Sequence, residues 1–462
     1  MRVLGACVVA VVSLRAVEAV ACGCFATATT VADPVIQAGE RIVFVNQGNQ
    51  VTAYVQIKFQ GEASDFGWLL PVPAVPDVKA GTDELFEVLD SATRPQFSLT
   101  TSQHPDCIPS GPIIGCASPR AVALGGSEGL QDAGAGPSPL VLRDTAGPYE
   151  YAVLKADSQA EMQQWLNMNR FFVPVTSDEA LKPYIRPGGY FLALKLRSGQ
   201  TTGDLRPVVL SYTSDYPMIP LILTSATAVP NMGVQVFVLG EGRAVPRNYH
   251  HVELNLLKLD WATAENYVAL VTAAVGEAPE RHAFVTEYAG PAEVTRGRLT
   301  GGGRFGSRTE LEASATAELF VQRLYSHGFT MRGTDQLSES LMNVLETQIP
   351  FPAATGVTRQ EFYRNLAFYL SPDTQAANPG WYAGWPGLSF DGPVLAAAVW
   401  TAVAQPIIDA EALLASKPKL TRLFTTLSPE DMTRDPVFAI NRTLPDVAAV
   451  RLASRQTGCS GV

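Results

Sequence analysis

The sequence predicts an α+β protein with a β-rich N-terminal region, built of antiparallel hairpins in a sandwich-like arrangement, and a mainly helical C-terminal region. Up to residue 290, short apolar runs alternate with turn residues, and beyond it apolar residues recur at helical spacing. With 47% hydrophobic and 17% charged residues, the 462-residue chain can bury a large core. We divide it into a signal peptide (1–21), a β-rich domain (22–290) and a mainly helical region (291–462).

The β-rich region opens with a hairpin pattern. Residues 51–59 alternate between apolar and polar side chains, and residues 42–45 precede them across a turn rich in Asn and Gly. Further strands are predicted at residues 149–155, 190–197, 207–213, 220–226, 234–239 and 282–288. Helices are predicted at residues 82–92, from the capping box at Ser158 through Trp165, and at residues 261–275. The Gly- and Pro-rich residues 117–148 predict a long loop within this domain.

Helical spacing dominates the C-terminal region. Helices are predicted at residues 309–328, 338–345, 358–370 and 392–408, and a further helix is predicted to start at Ser428. Residues 392–408 lack formal charge but include Gln405 and Pro406. At 17 residues they are shorter than the roughly 20 needed to cross a bilayer. We therefore predict a buried helix there rather than a membrane span.

The first 21 residues have the pattern of a secretory signal peptide. Arg2 is followed by the uncharged residues 3–14, and Ala19 and Ala21 form an A-x-A site before Cys22. The sequence therefore predicts an exported protein that is periplasmic, envelope-associated or extracellular.

Cleavage at this site removes Cys7 and leaves an odd number of cysteines in an oxidising compartment: Cys22, Cys24, Cys107, Cys116 and Cys459. Lipidation of Cys22 would leave four, enough for the bridges Cys107–Cys116 and Cys24–Cys459. The alternative is a soluble exported protein with one or two bridges and a spare thiol. Membrane contact is expected only if Cys22 is lipidated.

Charge and motifs exclude several function classes. The net charge of −10 argues against a nucleic-acid partner. No metal-ligand spacing is present, and the glycine pattern at 301–306 lacks the buried strand of a dinucleotide site, so we predict no metal and no cofactor. Asp83 and Glu84 adjoin a helix start, where acids ordinarily interact with the helix dipole. We assign no catalytic residue.

Several stretches resemble an exported bacterial family catalogued as domain of unknown function 2330. The resemblance lies in residues 22–25, 40–42, 54–57 and above all 66–73 (FGWLLPVP), and also in residues 425–432 and 435–438. It implies a bacterial envelope or extracellular setting and brings no catalytic residue with it.

These observations favour a non-catalytic binding or structural module of the bacterial envelope, whose partner is an unknown envelope protein or a polysaccharide. The sequence does not decide whether the protein is an enzyme, and it favours a protein that is not one. One alternative is a cofactor-free hydrolase whose carboxylate site is assembled only in the fold. The other is a lipid-anchored assembly factor.

Overall fold

The computed structural model describes residues 24–25, 37–56, 67–103, 139–169, 177–197, 205–301, 304–329, 331 and 335–457. The predicted signal peptide and four of the cysteines, Cys22, Cys107, Cys116 and Cys459, lie outside these residues. Their lipidation and disulfide pairing therefore stay predictions.

The strands are β1 (Cys24–Phe25), β2 (Gln37–Gln47), β3 (Gln50–Gln56), β4 (Gly67–Val72), β5 (Asp77–Ala80), β6 (Gln96–Gln103), β7 (Leu140–Ala146), β8 (Tyr149–Lys155), β9 (Tyr190–Leu196), β10 (Val208–Thr213), β11 (Ala228–Gly240), β12 (Arg243–Pro246), β13 (His250–His251), β14 (Ala283–Pro291), β15 (Lys419–Leu427), β16 (Phe438–Asn441) and β17 (Val450–Thr457).

The helices are α1 (Glu84–Thr93), α2 (Gln159–Met168), α3 (Ser177–Leu181), α4 (Leu221–Thr224), α5 (Tyr267–Gly276), α6 (Arg308–Glu312), α7 (Ala317–Ser326), α8 (Gln336–Glu346), α9 (Arg359–Arg364), α10 (Leu366–Leu370), α11 (Pro372–Ala377), α12 (Gly392–Val399) and α13 (Gln405–Leu414).

Two sheets organise the described residues. The five-stranded sheet has the order β1-β4-β9-β8-β7 and is antiparallel throughout. The eight-stranded sheet has the order β13-β14-β15-β11-β2-β3-β10-β5 and contains two parallel pairs, β13/β14 and β11/β2. The predicted hairpin is β2–β3, which turns at Gly48-Asn49, and Gly48 supplies the positive φ (69°) that this turn needs.

The two sheets and the helices form four layers. Inward-facing side chains of both sheets, such as Trp68 and Phe44, share one buried cluster. The other face of the eight-stranded sheet, with Val43 and Phe237, packs against α1 and against the helices α6 to α10, α12 and α13. Helices α2 and α3 cover the outer face of the five-stranded sheet. The predicted α+β class and sandwich-like arrangement are confirmed.

The structure corrects four details. The C-terminal region supplies β15, which lies between β14 and β11 and so completes the N-terminal sheet. The loop predicted through residue 148 is wrong at its end, where residues 140–146 form β7. The strand predicted at residues 220–226 is instead the short helix α4. The helix predicted at Ser428 is a single 3-10 turn, Pro429–Asp431.

Helices α12 and α13 run on through a π-helical turn as one 23-residue helix, Gly392–Leu414, the one helix of the described residues that is long and apolar enough to cross a membrane. Leu395, Val399 and Ile407 on this helix are fully buried, and they belong to the cluster that packs under the sheet. This packing is what the sequence predicts for a buried helix.

Candidate functional site

A charged cleft of about 590 Å³ lies beside the helical layer. It opens where the start of α1 meets the end of α7 and the start of α8. We call it the acidic cleft. It is lined by Asp83, Glu84, Glu87, Val88, Arg298, Gly301, Arg304, Tyr325, Ser326, Gly328, Asp335, Gln336 and Leu337.

Local sequence explains why acids gather at this point. Helix α1 buries Leu85, Phe86 and Leu89 under the sheet, and Glu84 and Glu87 on its first turn line the cleft. Acids are favourable there because the helix N-terminus carries a partial positive charge. Asp335 caps α8, since its carboxylate accepts hydrogen bonds from Ser338 N (2.9 Å) and Ser338 Oγ (2.7 Å).

Two of the acids have partners that hold them in place. Arg304 forms a bidentate pair with Glu84, with Nη1–Oε2 and Nη2–Oε1 distances of 2.5 and 2.7 Å. Gln56 on β3 donates to Asp83 Oδ1 at 2.7 Å. The edge of the cleft is therefore tied to the sheet on one side and to the segment before α6 on the other.

Glu87 is the acid with the altered proton affinity. Its partial burial, and then the negative charges of Glu84, Asp83 and Asp335, raise its pKa above the ordinary glutamate value, while Arg41 acts in the opposite direction. Glu87 therefore holds a proton at higher pH than an exposed glutamate does.

The cleft can supply hydrogen-bond acceptors, donors and net negative charge. Its lining contains four carboxyl groups against two guanidinium groups, together with Tyr325, Ser326 and Gln336. No group of three or more His, Cys, Asp or Glu side chains in the described ranges is arranged to hold a metal ion. Such a lining suits a polar organic ligand and can also support acid–base chemistry.

The sequence predicted no functional role for these acids and did not indicate that they meet in one cavity. Asp83 and Glu84 lie at a helix start, as predicted, but the fold brings Glu87 and the distant Asp335 to the same cavity. The capping signal Asp-x-x-Ser at Asp335 could have indicated that helix start, but not its neighbour in space. Cys24, the one described cysteine of the predicted set, lies in β1 opposite Leu69 and does not line the cleft.

Comparison with known proteins gives one result. No curated protein and no solved structure matches the chain. A family model described as "Uncharacterized protein conserved in bacteria (DUF2330)" matches residues 18–321, which include α1 and the first turns of the helical layer but not residues 425–438. Because this match covers well over half of the chain, the protein belongs to the DUF2330 family of uncharacterized bacterial proteins.

Proposed function

We propose that this protein is an exported envelope protein that binds a saccharide chain in the acidic cleft without transforming it. The observation that carries the proposal is the lining of the cleft, in which carboxylates and guanidinium groups alternate with Tyr325, Ser326 and Gln336 around about 590 Å³. A ligand rich in hydroxyl groups can satisfy such donors and acceptors together. The predicted signal peptide supports an envelope location.

The charge of the cleft indicates which saccharides bind best. Glu87 and Asp335 form no ion pair within the described residues, whereas Glu84 is paired with Arg304. The cleft therefore favours sugars that carry amino groups and disfavours sugars that carry carboxylates. Val88 and Leu337 offer apolar surface for the ring faces.

The test is calorimetric titration of the purified mature protein with three oligosaccharides of equal length: chitosan (cationic), cellulose-derived (neutral) and polygalacturonate-derived (acidic). We expect affinity to fall in that order and to weaken with salt. Glu87→Gln should weaken chitosan binding several-fold. Glu161→Gln, which changes a first-turn glutamate on α2 outside the cleft, is the matched control and should leave binding unchanged. Absence of binding to all three, or equal weakening by both variants, would reject the proposal.

The raised pKa of Glu87 specifically favours a second candidate, a cofactor-free hydrolase in which Glu87 donates the proton. In that case the same oligosaccharides would be cleaved, and cleavage would persist to higher pH than an exposed glutamate allows. Glu87→Gln would abolish cleavage, and the variant would still bind the substrate. Binding without release of reducing ends supports the non-catalytic proposal instead.

Export is tested separately, by mass spectrometry of the N-terminus of the protein isolated from its native cells. A chain starting at an unmodified Cys22 supports a soluble exported protein. A diacylglyceryl group on Cys22 supports the lipid-anchored alternative, and an intact Met1 contradicts export.

A further inference from the structure

A second cavity, of about 280 Å³, lies beside strand β14 and shares no lining residue with the acidic cleft. One wall is polar and contains Arg243, His251, Thr286 and Arg451. The rest is largely apolar and aromatic and includes Phe97, Val252, Leu254, Tyr267, Val285 and Val447. We call this cavity the arginine pocket.

Arg243 enters the pocket from β12 and is only partly satisfied. Its Nη2 donates to Thr286 Oγ1 at 2.9 Å. Its Nε is buried and has no hydrogen-bond partner among the described residues. Desolvation lowers the pKa of Arg243, although Glu253 on the pocket rim acts in the opposite direction. A buried guanidinium donor without an acceptor carries a desolvation cost that a bound anion would remove.

Arg451 enters from β17. Its Nη2 donates to the backbone carbonyl of Glu287 at 3.1 Å, which fixes the guanidinium group at the pocket wall. Across the part of the chain that the structure describes, neither Arg451 nor Arg243 forms an ion pair. Two cations that form no ion pair within the described residues therefore face one small cavity, whose lining also contains one carboxylate, Glu253.

His251 and Thr286 complete the polar wall. Thr286 is buried, and its Oγ1 lies 3.5 Å from His251 Nδ1 while it accepts from Arg243. The hydroxyl proton is then free to point toward His251 Nδ1, which leaves the proton of a neutral imidazole on Nε2. The wall thus presents a guanidinium, an imidazole and a second guanidinium.

The aromatic side of the pocket is held by its own contacts. The ring of Phe97 packs edge-on against Trp261 (5.8 Å between centroids) and at a tilt against Tyr267 (5.5 Å). The Tyr267 hydroxyl donates to Glu287 Oε1 at 2.7 Å, so the ring rather than the hydroxyl is available to a ligand. This side suits a flat apolar group.

We propose that the arginine pocket binds a small organic anion, a carboxylate or phosphate ester carried on a flat apolar group. An apolar cavity of about 150 Å³ accommodates benzene, so this pocket has room for one such ring with its anionic head. The head would pair with Arg243 and Arg451 and the ring would stack beside Phe97 and Tyr267.

The experiment is calorimetric titration of the full mature chain with benzoate, phenyl phosphate and inorganic phosphate. We expect both aromatic anions to bind at micromolar to millimolar affinity, more tightly than inorganic phosphate, and to weaken as salt rises. Arg451→Gln and Arg243→Lys should each reduce affinity about tenfold or more, because each removes charge-assisted hydrogen bonds.

Two other arginines on the same chain segments provide matched control variants. Arg455→Gln changes an exposed arginine four residues along β17. Arg247→Gln changes an exposed arginine just after β12, whose guanidinium lies over the Tyr216 ring. Both should bind like the unmodified protein, and melting curves identify any variant that fails to fold. Lack of binding by all three anions up to millimolar concentration, or equal weakening by the control variants, would overturn the proposal. Tightest binding by inorganic phosphate would overturn the role of the aromatic wall.

Discussion

Two adjacent residues of β14, Thr286 and Glu287, each contact an arginine. The arginine at Glu287 is in an ion pair, whereas the arginine at Thr286 is not. Glu287 and Arg422 form an ion pair with an Nε–Oε2 distance of 2.5 Å, and both side chains are almost fully buried. Thr286 accepts a hydrogen bond from Arg243, but its hydroxyl is uncharged and does not neutralise the guanidinium. Adjacent positions of one strand therefore contact an arginine whose charge is compensated by a carboxylate and an arginine whose charge is not.

Arg422, the arginine in the ion pair, contacts several elements of the fold and has a structural role. Arg422 also pairs with Asp90 on α1 at 2.8 Å, and its guanidinium lies 5.4 Å from the centre of the Phe237 ring. Burial alone would raise the pKa of Asp90, but Arg422 and Arg94 reverse this effect and lower it. The difference teaches that pairing, together with deeper burial, distinguishes the structural arginine from the one that can bind a ligand, because Arg243 is only partly buried and forms no ion pair within the described residues.

The largest effect should come from breaking the compensated pair. Arg422→Met leaves Glu287 as a buried charge without its cation, and we expect the free energy of unfolding to fall by about 3–5 kcal/mol. Arg243→Gln, which breaks no ion pair, should change it by about 1 kcal/mol or less. Urea unfolding of both variants provides the comparison.

The double variant Arg422→Met with Glu287→Leu is the control, because it removes the unpaired charge together with its partner. It should recover a large part of the lost stability. If Arg422→Met and Arg243→Gln destabilise equally, the contrast between the two arginines is wrong.

Asp435 provides an intermediate case, a partly buried acid that has hydrogen bonds but no ion pair in the described structure. Its carboxylate accepts from Tyr184 Oη (2.8 and 2.9 Å) and from Ile222 N (3.0 Å), and burial raises its pKa to about 6. Between the unfolded value, about 3.9, and this value, the native state holds a proton that the unfolded chain has lost. The free energy of unfolding should therefore fall by about 2–3 kcal/mol as pH rises through that window.

Asp435→Asn should remove this component of the pH dependence. The measurement is urea unfolding of wild type and variant from about pH 4 to 7, compared as a difference so that other titrating groups cancel. Asp215→Asn, at an exposed position, should reproduce the wild-type curve. A parallel pair of curves for wild type and Asp435→Asn would show that Asp435 titrates normally.

Local patterns predicted much of the fold and little of its long-range assembly. The β2–β3 hairpin and the caps of α2 and α9 depend on residues a few positions apart, and Ser158 and Thr358 accept from the third backbone N–H after them as expected. Strand β15 escaped prediction because Leu420 and Leu423 are buried on opposite faces, which erases the alternation, and Arg422 interrupts the apolar run.

Helix α4 and the two sites depend on contacts between residues that are distant in the sequence. Residues 221–223 form a short apolar run that suits a strand or a helix equally. The contact that caps α4 comes from Asp435, 213 positions away from Ile222. The acidic cleft likewise joins α1 to α8, and the arginine pocket joins β12 to β17. Convergence of this kind leaves no linear spacing, so only the fold reveals it.

The smallest effect should come from an ion pair at the surface. Arg308 and Glu312 on α6 pair at 2.7 Å, with 45% and 33% of their side chains exposed. Water already solvates both charges, and the arginine precedes the glutamate, the less favourable order along a helix. A double-mutant cycle with Arg308→Ala and Glu312→Ala should therefore give a coupling of about 0.5 kcal/mol or less, decreasing at high salt. A coupling as large as that of Arg422 with Glu287 would mean that pairing stabilises this protein regardless of burial.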